Sequence, residues 1–259
     1  MEELKIKNSK GQNIAAVLSR STKSYNRLAI LCPGYLDTKD YAHLTALAER
    51  LTEKGYDVVR FDPTGTWESE GDISEYSTTQ YLADIKSVLE YMVNKNGYDH
   101  VLLGGHSRGG QVSILFAADN PKINAVLGIM PSQGRVDEED KKEWRDAGIR
   151  LSKRDLPNDR NKTIEFAVPY SHMQDREQYL TLEAVKKVHV PIVLVAGALD
   201  DIVEPLEVKE IFDAANEPKR FVLIEDIGHD YRLNESEIAK VNSRLIETLF
   251  PFTSISAKA

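Results

Sequence analysis

Short runs of β-branched and aliphatic residues alternate along this chain with longer stretches whose apolar positions recur about every 3.6 residues. That alternation restricts the fold to βαβ units around a mostly parallel sheet, because strands of that kind must be covered by helices on both faces. Strands are expected at Leu28 to Leu31, Val58 to Phe61, His100 to Gly104, Ile123 to Ile129, Pro191 to Ala196 and Arg220 to Ile224. Between them Leu44, Leu47, Ala48 and Leu51 mark one helix face ending at Gly55, and Tyr81, Leu82, Ile85, Val88, Leu89 and Met92 mark another ending at Gly97. Further helices are read from Arg108 to Ala118, from Glu204 to Ala215, and over Ile238, Val241, Leu245, Ile246 and Leu249.

Two segments break the rhythm. At the start, Leu4 to Lys7 and Ile14 to Leu18 flank the turn-prone Lys10-Gly11-Gln12-Asn13 and read as an antiparallel hairpin. From Ser132 to Val188 charge is dense, with a helical pattern at Glu138 to Ile149 and a short strand at Ile164 to Val168. Both ends of this stretch return to the same sheet, so it is expected to be a lid inserted in one domain. The core would be residues 1–131 and 189–259, and the lid 132–188.

A hydrophobic content of 41% is ordinary for a globular chain of 259 residues, and no apolar run approaches the roughly 20 residues that span a bilayer. The net charge of −8 is spread along the sequence and leaves no basic stripe, which argues against nucleic acid as a partner. One cysteine, Cys32, can make neither an internal disulfide nor a cysteine zinc site, so a cytoplasmic protein without membrane attachment is expected.

The sharpest local signal is Gly105-His106-Ser107-Arg108-Gly109, placed directly after an apolar strand and directly before a helix. A tight strand-to-helix turn holds such a serine in a strained conformation, with glycines two residues away on either side because side chains there would collide. Ser107 would stand above the sheet at a helix N-terminus, where partial positive charge favours a developing oxyanion. A serine hydroxyl needs a histidine base and a carboxylate to orient it. Of six histidines, His229 alone lies in a loop beyond a late strand, and His106 is expected to pack beside the turn. The acid should end the strand before that, where Asp200 and Asp201 are neighbours. Asp200 is preferred, three residues beyond Gly197 and three before Val203.

On these motifs, Gly105 to Gly109, Gly197 to Val203 and Gly228-His229, the chain resembles the α/β-hydrolase superfamily over essentially its whole length. The resemblance implies a mostly parallel eight-stranded sheet flanked by helices, and an oxyanion hole made by the backbone N–H groups of Arg108 and Tyr35. Pro33-Gly34-Tyr35 stands where the family usually reads His-Gly-aromatic. The loop Asp62 to Gly71 resembles the Asp-x-x-Gly-x-Gly-x-Ser segment of esterase-like members, with its second glycine altered. The inserted stretch is similar in position and size to the lid of bacterial cinnamoyl and feruloyl esterases. Trp67, Trp144, Phe166, Tyr170 and Tyr179 are then candidates for an aromatic acyl pocket.

The glycines around Ser107 fit neither a phosphate loop nor a dinucleotide fingerprint, and no His-Glu-x-x-His occurs, so neither a nucleotide nor a metal cofactor is expected. The expected activity is hydrolysis of small-molecule carboxylic esters, short acyl or hydroxycinnamoyl in type, through an acyl-enzyme. An amide or peptide hydrolase, a lipase and an acyltransferase could use the same three residues. A slow-turnover ligand-binding receptor is the competing class, separable by measured turnover on simple esters.

Overall fold

The computed structural model describes residues 1–23 and 25–256. Strands β1 (Glu2–Lys7) and β2 (Asn13–Ser19) form the antiparallel hairpin, and β2 pairs antiparallel with β4 (Tyr56–Phe61). From β4 onward the sheet is parallel through β3 (Arg27–Cys32), β5 (His100–His106), β6 (Ala125–Ile129), β9 (Ile192–Gly197) and β10 (Lys219–Ile224). The order across the eight strands is β1-β2-β4-β3-β5-β6-β9-β10. This is the eight-stranded, mostly parallel sheet that the alternation and the resemblance require.

Both faces of the sheet are covered. Along β3, Leu28, Ile30 and Cys32 face a core shared with α2 (Thr78–Asn96), α3 (Arg108–Ala118) and α7 (Pro205–Ala214). The intervening Ala29 and Leu31 face α1 (Ala42–Glu53) and α8 (Glu235–Ser256). Val112 and Ile114 of α3 are fully buried, and each burial contributes about 1.5–3 kcal/mol. Helix α2 begins where Ser77 accepts the Gln80 N–H and ends at Gly97 in the left-handed conformation, at the residue where the sequence pattern stopped.

The segment between β6 and β9 holds more regular structure than its sequence suggested. The expected helix runs over α4 (Glu138–Ala147) but does not reach Ile149, because Gly148 turns left-handed at φ 74° and Ile149 opens a strand. Strand β7 (Ile149–Leu156) pairs with β8 (Asp159–Pro169) as a separate antiparallel hairpin, which extends well beyond the anticipated Ile164 to Val168. Two short helices, α5 (Ser171–Arg176) and α6 (Thr181–Val185), complete it. The hairpin is tied across the carboxyl end of the sheet. Tyr41 Oη donates to the Asp155 carbonyl at 2.8 Å, Arg154 Nη2 donates to the Tyr35 carbonyl at 2.8 Å, and Arg232 pairs with Asp155 at 2.8 Å.

Candidate active site

In open parallel sheets, ligand sites gather at the carboxyl ends of the strands, and three chain reversals meet there. Ser107 sits between β5 and α3 with φ 54° and ψ −119°, a costly conformation for a side-chain-bearing residue. Its neighbours explain how the turn closes. A Cβ on Gly105 or on Gly109 would collide with the Cys32 carbonyl oxygen, so β3 can approach the turn only if both positions are glycine. The Ser107 N–H donates to the Ile129 carbonyl at 2.8 Å, which fixes the turn to β6.

His229 follows β10. Its Nε2 lies 2.9 Å from Ser107 Oγ, and its Nδ1 lies 2.8 Å from Asp200 Oδ2. A carboxylate can only accept, so Nδ1 carries the proton and Nε2 is left as the acceptor facing the serine hydroxyl. Asp200, just past β9, is 4% exposed, and its Oδ1 accepts the N–H groups of Ile202 at 3.0 Å and Val203 at 2.8 Å. Asp201 is exposed. The chain therefore brings Ser107, His229 and Asp200 into one continuous hydrogen-bonded line.

Across from Ser107 lies the loop after β3, where Leu36 has φ 55°. Among the described residues the N–H groups of Tyr35 and Arg108 donate to no protein acceptor. The Pro33 carbonyl accepts Tyr81 Oη at 2.9 Å, and the Leu36 N–H donates to Tyr76 Oη at 3.1 Å, so two tyrosines hold this loop. Trp67, at the position of the altered second glycine, keeps the left-handed backbone a glycine would favour, with φ 47°, and its Nε1 donates to the Leu36 carbonyl at 2.9 Å.

The candidate aromatic residues are dispersed. Trp67 meets Phe166 of the inserted hairpin edge-on at 5.7 Å. Trp144 is buried within the inserted segment, where its Nε1 donates to the Val168 carbonyl at 3.0 Å and its ring stacks on His172 at 5.7 Å. Tyr170 opens α5, and Tyr179 Oη lies 2.7 Å from Thr79 Oγ1. No ring contact joins Trp67, Trp144, Tyr170 and Tyr179 to one another among the described residues.

One buried group escaped sequence reasoning. Donor atoms of Asp37, His43 and His106 lie within 4.8 Å of one another, and the His106 ring packs 4.6 Å from the His229 ring. Burial pushes His43 down to about 3 and lowers His106, so both are neutral near pH 7. Burial alone would raise Asp37, yet it lies below the usual carboxylate range, with the Arg154 guanidinium 3.8 Å from its Oδ1. Residues 37, 43 and 106 share no spacing motif; only the meeting of the β3 and β5 ends, with α1 following, puts them side by side.

With an eight-stranded sheet of this order, a strained serine between strand and helix, and a covering segment after β6, the protein has the α/β-hydrolase fold. Comparison with known proteins agrees. The Hydrolase_4 family (serine aminopeptidase, S33) matches residues 24–147. The mitochondrial palmitoyl-protein thioesterase ABHD10 of Mus musculus is 26% identical over 220 residues, covering 80% of this chain and 69% of the relative. Its solved structure, alpha/beta hydrolase domain-containing protein 10 from mouse, superposes with a TM-score of 0.76 at 21% identity over 97% of this chain and 99% of that one. Est1E from Butyrivibrio proteoclasticus, solved with ferulic acid bound, superposes with a TM-score of 0.77 at 18% identity over 97% of this chain and 100% of that one.

Proposed function

We propose that the protein is a serine hydrolase that cleaves carboxylic esters through an acyl-enzyme. The observation that carries the reading is the line from Ser107 Oγ to His229 Nε2 at 2.9 Å and from His229 Nδ1 to Asp200 Oδ2 at 2.8 Å, built on a serine at positive φ. His229 takes the hydroxyl proton as Ser107 Oγ attacks the carbonyl carbon. The tetrahedral oxyanion is held by the N–H groups of Tyr35 and Arg108, and the imidazolium is stabilised by Asp200. Collapse of the intermediate expels the alkoxide, which takes the proton from His229. Water then repeats the sequence on the acyl-serine and releases the acid.

Residues 132–188 act in this reading as a lid over a core of residues 1–131 and 189–259, supported by the bonds from Arg154 to Tyr35 and from Tyr41 and Arg232 to Asp155. Thioesters are a second substrate class, favoured by the ABHD10 relatives, because the same attack on an acyl carbonyl expels a thiolate. The test is labelling by a fluorophosphonate probe together with turnover of acetate and butyrate esters and thioesters. Labelling at Ser107, and loss of about 10⁴-fold or more in kcat for Ser107→Ala, is expected. Stoichiometric labelling of another serine with Ser107 untouched ends the hypothesis.

A further inference from the structure

Around the side chain of Arg108, the residue after Ser107, several buried polar atoms have no partner. Arg108 is 2% exposed, and of its guanidinium only Nη2 is bonded, to Thr78 Oγ1 at 3.1 Å; Nε and Nη1 are sealed from solvent and unpaired. Its guanidinium lies 5.3 Å from the Tyr76 ring, which packs against Tyr35 at 6.0 Å and His172 at 5.1 Å. Tyr35 Oη and His172 Nε2 are also buried without partners. Arg176, at the end of α5, reaches the same place. Its Nη2 donates to Ser132 Oγ at 3.3 Å, the Ser132 N–H donates to the Ser107 carbonyl at 3.3 Å, and its Nε is buried and unpaired.

No carboxylate lies within ion-pair distance of either guanidinium among the described residues. The nearby acids are otherwise engaged or more distant. Asp175 accepts the N–H groups of Thr78 and Thr79, and Glu207 on α7 exerts only a weak attraction on Arg176. Burial and the neighbouring Arg108 lower Arg176 to about 10, so Arg176 stays charged near pH 7 with a second guanidinium beside it. Arg108 is buried and Arg176 partly so, and holding two uncompensated cations together there is costly, a cost that an anion between them offsets. Arg176, though not Arg108, also lines a cavity of about 500 Å³ with Gln133, Met173 and Tyr179, where Lys141 faces the same space as Glu138, Glu177 and Glu183, which gives a small ligand room beside Arg176.

We propose that Arg108 and Arg176, with Tyr35 Oη, form a carboxylate-binding subsite, so that the preferred substrate is a small ester bearing a free carboxylate. This rests on the serine-hydrolase reading for its catalytic consequence, but the subsite itself does not depend on turnover. Arg108 and Arg176 supply charge-assisted donors to the carboxylate, which accepts them in place of solvent. His172 Nδ1 faces the Tyr76 carbonyl at 2.7 Å and donates to it, leaving Nε2 as an acceptor suited to a hydroxyl of the same ligand. Such a mixture of donors and one acceptor fits a polar anion rather than a hydrocarbon chain.

The carboxylate can sit on the acyl side or on the alcohol side of the ester, and two substrates separate these cases: methyl hydrogen glutarate and carboxymethyl butyrate, each compared with methyl butyrate. The wild-type enzyme should favour one acid by about 10–100-fold in kcat/KM, mainly through KM, and Arg176→Gln should erase most of that ratio while Arg176→Lys restores part of it. Independently of catalysis, glutarate should bind Ser107→Ala in a calorimetric titration, weaken with added salt, and bind about 10-fold or more weakly when Arg176→Gln is added. Equal kcat/KM for charged and neutral esters, with no glutarate binding, overturns the subsite. Glutarate binding that depends on Arg176 in a protein whose Ser107 resists the fluorophosphonate keeps the subsite and overturns the hydrolase reading instead.

Discussion

Replacing Asp200 with asparagine removes one acceptor from a residue that uses both of its oxygens. In the wild type Oδ1 takes the N–H groups of Ile202 and Val203, and Oδ2 takes His229 Nδ1–H. The asparagine can keep its oxygen on only one side. If the oxygen stays with the two backbone donors, the amide NH₂ faces His229 and selects the tautomer with its proton on Nε2, where the imidazole can no longer accept from Ser107. The flipped amide would set its NH₂ against two backbone N–H groups, leaving two buried donors opposed at about 1–3 kcal/mol each. Even the low end, about 2 kcal/mol, favours the unproductive orientation roughly 30-fold. The amide also lacks the charge that stabilises the imidazolium, and with both effects Asp200→Asn should lose about 10³–10⁴ in kcat on a p-nitrophenyl butyrate assay, with a urea midpoint close to wild type. Asp201→Asn, changed on an exposed side chain, should stay within about twofold. An inactive Asp201 variant beside an active Asp200 variant would refute the tautomer argument and move the acid by one residue.

His43 is buried neutral, so its share of stability is complete above about pH 6.5 and drains away as pH falls toward about 3. Between pH 7 and pH 5 this amounts to about 2 kcal/mol, and His43→Phe should flatten urea-unfolding stability over that interval by a similar amount; an unchanged pH slope counts against it. Gly109→Ala would drive a Cβ into the Cys32 carbonyl and to 2.7 Å from the Pro33 carbonyl, so a loss of about 1–3 kcal/mol or more and a weakened kcat are expected, and a wild-type Tm with full activity would contradict that geometry. If the inserted segment acts as the proposed lid, short esters should be cleaved with higher kcat/KM than long-chain triglycerides, without a rate jump on emulsification; preference for emulsified substrate would point to a lipase.

The architecture was legible because it is written in local periodicity. Alternating runs placed the six parallel strands, Gly97 ended α2, and the glycines flanking Ser107 marked a turn that only small residues permit. Where neighbouring residues do not encode the outcome, the reading stopped short. The inserted segment hides its strand β7 in the charged run Arg150 to Asp155, since an exposed two-stranded hairpin buries too little to need an apolar pattern.

In the sequence only the spacing from Gly197 and Val203 ranked Asp200 ahead of Asp201, because residue type and chain order are the same for both. The tertiary structure turns one carboxylate inward, since the Ile202 and Val203 amides and His229 all need its oxygens, and leaves the other in water. The same division holds for Arg108 and Arg176. Nothing in the sequence marks either guanidinium, and only the packing of α5 against α2, Tyr35 and Tyr76 brings the two together without supplying a carboxylate. Sequence by itself determined the strands of the main sheet, the helices that cover it and the sharp turn at Ser107, because those depend on backbone preference and burial within a few residues. Tertiary structure decided which polar groups share a dry space, because that depends on segments far apart in the chain competing for the same hydrogen bonds.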